Sequence, residues 1–196
     1  MTSICLLDSL KEDSNSINEI LKDQLSKLSQ NQLNWKSSIQ NWSVLECLEH
    51  IILSGQYYID QINSILSSNI PNPDTIDLEF KPGIIGNYST RAMKPGPSGE
   101  ITNRMKTFKR MEPGKSNLDH NRILINFEKY QTDLLTIIEK SRYYNLNKIK
   151  IKSSIGNLIR FKLGDALGFV VAHNQRHMQQ AINVIHSTDF PADISE

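Results

Sequence analysis

Apolar residues recur three and four positions apart along four long segments of the chain, which is the period of an amphipathic helix. The pattern predicts helices over about 9–33, 41–67, 116–138 and 163–186. Four such helices in succession favour an up-down four-helix bundle, in which the apolar stripes face a shared core. We therefore predict an all-α fold in a single domain that spans 1–196.

The segment between the second and third helices, about 71–116, breaks this pattern. It contains six of the seven prolines, and Pro95-Gly96-Pro97-Ser98-Gly99 cannot continue a helix. We interpret it as a long irregular insertion, which in a compact domain is often functional. Before the last helix, apolar and basic residues alternate over Lys148-Ile149-Lys150-Ile151-Lys152, which predicts a short strand.

The composition is that of an ordinary globular protein, with 196 residues of which 38% are hydrophobic and 22% charged. No run approaches the roughly 18 apolar residues of a membrane span. The N-terminus lacks the basic region of a signal peptide, and two cysteines do not make a disulfide framework. We therefore expect a cytoplasmic protein without a membrane partner.

The net charge of +1 gives no overall attraction to nucleic acid, but the charge is unevenly distributed. Basic residues outnumber acidic ones by six over 81–116, and the stretch 140–162 has seven basic residues and no acidic one. Such stretches either attract an anionic ligand or form solvated surface. Neither forms a platform of interleaved aromatic residues, so we expect no nucleic-acid partner.

Three histidines are the main candidates for chemistry. His173 and His177 lie four residues apart in the fourth predicted helix, and His50 lies in the second. Side chains at i and i+4 lie one above the other on a helix, so two imidazoles can bind one transition-metal ion. All three flank apolar stripes, where they can converge between helices yet remain near water. On the residues alone, a metal site and the border of a helix interface explain them equally well.

Neighbouring residues are candidates for the same site. Asn174 falls in the middle of an apolar stripe, where an unpaired amide costs about 1–3 kcal/mol. Its partner is either a histidine N–H or water in the site, or a backbone carbonyl across the bundle. Glu46 is an acid–base or hydrogen-bonding candidate, although an exposed helix glutamate is the commoner case. Tyr57 is a candidate pocket residue, and Cys47 is the nearest candidate for a fourth metal ligand.

Two motifs resemble those of the DinB/YfiT-like superfamily. The run Trp42-Ser43-Val44-Leu45-Glu46-Cys47-Leu48-Glu49-His50 resembles its W-S-x-x-E-x-x-x-H signature. The run Leu163-Gly164-Asp165-Ala166, followed by His173-Asn174-Gln175-Arg176-His177, resembles its C-terminal helix with the metal-binding H-x-x-x-H. The order and spacing of these motifs fit the superfamily from about residue 10 to 187.

The resemblance implies a four-helix bundle that binds a divalent metal, usually zinc or nickel, through His50, His173 and His177. Members are often homodimers, and some are metal-dependent S-transferases that use a low-molecular-weight thiol, isomerases of thiol adducts, or hydrolases. Our leading hypothesis is therefore a thiol S-transferase that acts on a small molecule, with a metal-dependent hydrolase as the alternative. The rival from another class is a non-catalytic metal-binding or stress-response interaction module.

The leading hypothesis has a chemical basis. Three neutral imidazoles leave a divalent metal its positive charge and one exchangeable position, and a thiol that binds there loses its proton. The two basic stretches could hold the carboxylates of a small acidic thiol. The same site could activate water for hydrolysis instead, and the sequence does not separate the two. A fourth protein ligand would favour the non-catalytic rival, because structural zinc sites are closed.

Overall fold

The computed structural model describes residues 1–101, 107–114, 117–156 and 158–192. Within these ranges the chain forms six α-helices and one two-stranded sheet. The helices are α1 (Ser3–Ile20), α2 (Gln30–Asn34), α3 (Val44–Ser67), α4 (Ile84–Met93), α5 (His120–Lys140) and α6 (Leu163–Ile185), and the strands are β1 (Lys150–Lys152) and β2 (Arg160–Lys162).

The four long helices α1, α3, α5 and α6 form the bundle that the apolar periodicity predicts. Helices α1 and α3 each pack against both α5 and α6. Their stripes meet in a core in which Leu48, Phe127 and Leu167 have no exposed surface. Burying one such side chain contributes about 1.5–3 kcal/mol, so this core fixes where the polar flanks of the helices meet. The all-α prediction is confirmed.

The first turn of α3 is fixed by a reciprocal pair of hydrogen bonds. The Ser43 hydroxyl accepts from the Glu46 N–H, and the Glu46 carboxylate accepts from the Ser43 N–H at 2.8 Å. Such a capping box satisfies two backbone donors that the helix leaves without partners and is worth on the order of 1 kcal/mol. It confirms the predicted start of this helix and sets the position of His50 two turns later.

The prediction of one continuous first helix over 9–33 is wrong. Helix α1 already begins at Ser3, after Thr2 caps it, and it is followed by a π-helical turn at Leu21–Leu25. A second capping box, between Ser29 and Gln32, then starts the separate helix α2. Hydrogen bonding by Ser29 thus starts a new helix within the predicted one. The apolar residues on both sides of the break, such as Leu25 and Leu33, stay buried, so the apolar periodicity of the sequence does not reveal the break.

The third helix begins later than predicted. Its N-cap is Asp119, whose carboxylate accepts from the Arg122 N–H at 3.0 Å, so the first helical residue is His120. Residue 116, the predicted start, lies outside the described residues.

The predicted strand before α6 is confirmed in part. Strand β1 pairs antiparallel with β2, which we did not predict, and Ile151 faces Phe161 in the core.

The insertion is not irregular throughout, because its residues 84–93 form α4. This helix packs on α6 through a face that includes the small residues Gly86 and Ser89. A Cβ on Gly86 would overlap the Asp165 side chain of α6, so the close approach requires glycine. A face built from small residues has no apolar periodicity, which explains why the sequence pattern did not reveal this helix.

No helix in the described ranges combines the length and apolarity that crossing a bilayer requires.

A contact between three helices holds α3 beside the others. The ring of Tyr130 in α5 lies where a Cβ on Gly55 of α3 would be, and its hydroxyl bonds Asn174 of α6. We therefore expect Gly55→Ala to destabilise the protein by about 1–3 kcal/mol, because the new methyl group overpacks a buried contact. Urea unfolding followed by circular dichroism measures this change.

Gly168 provides a matched control for the Gly55 prediction. It is also a buried helical glycine, but a Cβ there would meet Thr90 at an ordinary 3.7 Å. Because alanine is the better helix former, Gly168→Ala is expected to be neutral or to stabilise by up to about 1 kcal/mol. If Gly55→Ala were as stable as Gly168→Ala, the close packing of Tyr130 against α3 would be refuted.

Candidate metal centre

His50 from α3 and His173 and His177 from α6 converge in the space between the two helices. One ring nitrogen from each lies within 4.8 Å of the others, and the Nε2 atoms of His50 and His173 are 3.2 Å apart. Two nitrogen ligands at about 2.0–2.1 Å from a tetrahedral metal lie roughly 3.3 Å from each other. The spacing of these imidazoles therefore fits a shared divalent cation.

The protonation of each ring is set by the partner of its other nitrogen. Nδ1 of His50 lies 2.7 Å from the Met111 carbonyl oxygen, and Nδ1 of His177 lies 3.0 Å from the Gln180 amide oxygen. Both oxygens only accept hydrogen bonds, so in both rings Nδ1 donates its proton. In a neutral imidazole this leaves the lone pair on Nε2.

His173 follows the same rule through Ser54. The Ser54 hydroxyl donates to the backbone carbonyl of His50 at 2.6 Å and lies 3.4 Å from Nδ1 of His173. A hydroxyl that has given its own proton away can accept the Nδ1–H of His173. With Nδ1 protonated in both rings, the Nε2 atoms of His50 and His173 face each other with their lone pairs at 3.2 Å, and a cation bound between the histidines would relieve their repulsion. This arrangement fits a metal ion, because Nδ1–H partners of this kind orient histidine ligands.

Burial keeps the three imidazoles neutral. It lowers the pKa of His50, and it lowers the pKa of His173 well below its ordinary value, with the neighbouring His177 and His50 adding to the effect. The pKa of His177 falls to about 3, chiefly through burial and then through His50. Because a metal binds the neutral form of histidine, the site is in its binding-competent state at pH 7.

The three histidines line a cavity of about 640 Å³. The ring of Trp42 forms part of its wall and lies 4.8 Å from that of His50 and 5.6 Å from that of His177, measured between ring centres. The insertion contributes a further wall through Phe108 and Met111. An aromatic wall beside the ligands limits the access of water and strengthens electrostatic interactions with them. The cavity is large enough for a small molecule.

The structure places Asn174 in the wall of the cavity and Tyr57 outside the cavity lining. Asn174 is fully buried and lines the cavity, but its partner is the Tyr130 hydroxyl, with which its amide both donates and accepts. The Tyr130 hydroxyl is a partner that the sequence did not suggest. Tyr57 is not among the lining side chains; the adjacent Tyr58 is. The ring of Tyr57 instead lies beneath the guanidinium of Arg110, 5.0 Å from its centre.

Glu46 and Cys47 lie beside the site without lining the cavity. The Glu46 carboxylate caps α3 and pairs with the Lys36 ammonium at 2.9 Å. It therefore stabilises the helix that carries His50, while its acid–base role stays a prediction. Cys47 is buried in the core, and burial raises the pKa of its thiol. In the described ranges the cluster of possible metal ligands consists of the three histidines alone.

Several residues of the site were not identified from the sequence. Met111 acts through its backbone carbonyl, which carries no sequence signal, and Gln180 and Ser54 are ordinary polar helix residues. Arg176 lies between the two ligands of α6 and lines the cavity. Its position within one turn of both histidines was visible in the sequence and could have identified it.

Comparison with known families agrees with this geometry. A family model described as the DinB superfamily matches residues 19–181, which include all three histidines. The chain belongs to the DinB superfamily. Neither a curated protein nor a solved structure matches the chain. The resemblance inferred from the tryptophan–histidine and double-histidine motifs is thus confirmed, and this DinB-superfamily protein has three histidines placed to bind a divalent metal.

Removing a ligand should remove the metal from this DinB-superfamily protein. We expect the purified wild type, loaded with zinc and desalted, to retain about one metal ion per chain. The variants His50→Ala, His173→Ala and His177→Ala each lack one of three ligands and should retain little. His186→Ala, an exposed residue at the end of α6, is the control and should retain metal like the wild type. Elemental analysis that found stoichiometric metal in a double variant of His173 and His177 would contradict the site.

The stability of the metal-free protein should fall as the pH is lowered. In the unfolded chain these histidines titrate near their ordinary pKa of 6.5, whereas in the folded protein the pKa of His177 is about 3. Between these values the unfolded state binds more protons, so stability is lost by about 1.4 kcal/mol per pH unit for each such histidine. Urea unfolding at several pH values, with the double variant His173→Gln and His177→Gln as the comparison, measures this slope. Equal slopes would show that the buried histidines do not oppose protonation.

Proposed function

We propose that the protein is a metal-dependent enzyme that joins a low-molecular-weight thiol to a small electrophilic molecule. The observation that carries this proposal is the opening of the three-histidine cluster into the 640 Å³ cavity. A zinc or nickel ion held by His50, His173 and His177 supplies Lewis acidity that deprotonates a thiol at neutral pH. Nitrogen ligands suit both metals.

The ligand count favours an enzyme over a non-catalytic module. A structural zinc site normally has four protein ligands, and the described ranges offer three. Cys47, the nearest candidate for a fourth, points into the apolar core and is fully buried. All three histidines line the cavity, so a small molecule in the cavity could reach a metal bound between them.

The lining of the cavity favours a thiol over water as the nucleophile. Hydrolysis usually employs a carboxylate or another general base to take the proton of water. Among the cavity-lining side chains of the described ranges there is no carboxylate, and Glu46 is bound to Ser43 and Lys36. A thiol would need no such base, because coordination to a metal held by the three histidines would lower its pKa enough to give the thiolate. Hydrolysis is the second candidate function, and it requires a general base from outside the described cavity lining.

In the reaction we propose, the thiolate sulfur would form a bond to an electrophilic carbon held in the cavity. The bond between that carbon and its leaving group would break, and its electron pair would pass to the leaving group. The proton of the thiol passes to solvent or to the group that leaves that carbon. Trp42, Tyr58 and Phe169 provide apolar surface to hold the second substrate beside the sulfur.

The homodimer, the cytoplasmic location and the absence of a nucleic-acid partner stay predictions.

Cobalt-substituted protein tests the open position directly. We expect its visible absorption spectrum to change when 2-mercaptoethanol is added, because a sulfur ligand alters the coordination of cobalt. His177→Ala should abolish the change, since it removes a ligand. Tyr57→Phe, outside the cavity lining, should bind cobalt and respond like the wild type. A spectrum that no thiol alters, in protein that holds stoichiometric cobalt, would rule out the proposed thiol chemistry.

A further inference from the structure

Arg176 is placed to contact whatever binds beside the histidines. It lies three residues after His173 on α6, so these two side chains lie on the same side of the helix. Its side chain lines the same cavity, and the residue is only 7% exposed.

The charges of the cavity are one-sided. Of the described side chains that line it, Arg176 is the one that carries a formal charge, and the others are histidine, aromatic, apolar, amide or hydroxyl groups. A divalent metal would add two further positive charges. Such a cavity is strongly positive in a poorly solvated setting, where a bound anion is stabilised much more than in water.

The guanidinium suits a planar anion. Arg176 already interacts with another part of the chain, but a guanidinium has five N–H donors, so a bond within the protein leaves donors for a ligand. Two of them can bind the two oxygens of one carboxylate side by side. Arginine is favoured over lysine at such sites because this planar fork fixes the orientation of the bound group.

The basic stretches do not take this role in the described part of the chain. We expected the stretches 81–116 and 140–162 to hold the carboxylates of an acidic thiol. Their residues in the cavity wall include Met93, Phe108 and Ser154, but no lysine or arginine from the described parts of either stretch lines the cavity. The basic side chains in the described parts of both stretches therefore lie outside the cavity lining.

We infer that Arg176 determines the specificity of the cavity, and that the ligand is an acidic thiol whose carboxylate binds Arg176 while its sulfur binds at the three histidines. This inference rests on the proposed function and names its substrate class. Arg176 and the three histidines line the same cavity, so one small molecule bound there can contact both groups.

The test compares two thiols of the same size on cobalt-loaded protein. The first is 3-mercaptopropionate and the second is 3-mercaptopropionamide, which has an amide in place of the carboxylate. Absorption titrations give a Kd for each. We expect the wild type to bind the carboxylate roughly tenfold or more tightly, as a charge-assisted bidentate contact implies. Equal affinity of the wild type for both thiols would overturn the inference without any variant.

Two arginine variants locate the origin of the preference. Arg176→Gln should bind both thiols with similar affinity, because its side chain has no charge. Arg160→Gln makes the same change at an exposed position of the basic stretch, and it should keep the wild-type preference. If Arg176→Gln keeps the preference for the carboxylate thiol, and its cobalt spectrum without thiol matches the wild type, the preference comes from the metal alone. If Arg160→Gln loses the preference, the preference comes from general surface charge. Either result overturns the inference.

A second pair of ligands separates this inference from the proposed function. In this pair a hydroxamate replaces the thiol, and the tail is again either a carboxylate or an amide. If only the hydroxamates bind, and their preference depends on Arg176, the proposed thiol chemistry and the assignment of the ligand as a thiol are overturned, while anion selection by Arg176 stands. If the thiols bind without preference, the proposed function stands and the inference is overturned. If neither pair alters the cobalt spectrum, both are overturned.

Discussion

The site depends on the convergence of three imidazole lone pairs. The Nε2 atoms of His50 and His173 face each other at 3.2 Å, a distance at which two lone pairs repel. They are held there because each Nδ1 has an acceptor of its own: the Met111 carbonyl for His50, Ser54 for His173 and Gln180 for His177. These acceptors come from the insertion, from α3 and from α6. The arrangement therefore requires the insertion and both helices to be in place, and a cation relieves its repulsion.

The rest of the bundle keeps α3 and α6 at the spacing that this convergence needs. The capping box of Ser43 and Glu46 fixes where α3 begins. Five residues beyond His50, Gly55 lets Tyr130 approach α3, and the Tyr130 hydroxyl binds Asn174, which neighbours His173. Core packing and site geometry are thus joined through buried groups, and a change in either would be expected to alter metal affinity.

Local sequence signals predicted the parts of the structure that depend on local chemistry. Serine at an N-cap and apolar residues three and four apart located α3 and α6, and with them the three histidines. The first helix was mispredicted because Ser29 restarts it without disturbing the apolar period. Helix α4 was missed because its packed face is small rather than apolar. The partner of Asn174 depends on how α5 packs across the bundle, which no local pattern contains. The same is true of the backbone carbonyl of Met111.

X-ray absorption spectroscopy of the zinc-loaded protein tests the central claim most directly, because it reports the number, type and distance of the metal's ligands. The account predicts three imidazole nitrogens at about 2.0–2.1 Å and no sulfur ligand in the protein alone. On addition of a thiol, one sulfur should enter at about 2.3 Å while the three nitrogens remain. A sulfur ligand present before any thiol is added, or a set of four protein ligands that thiol leaves unchanged, would contradict it.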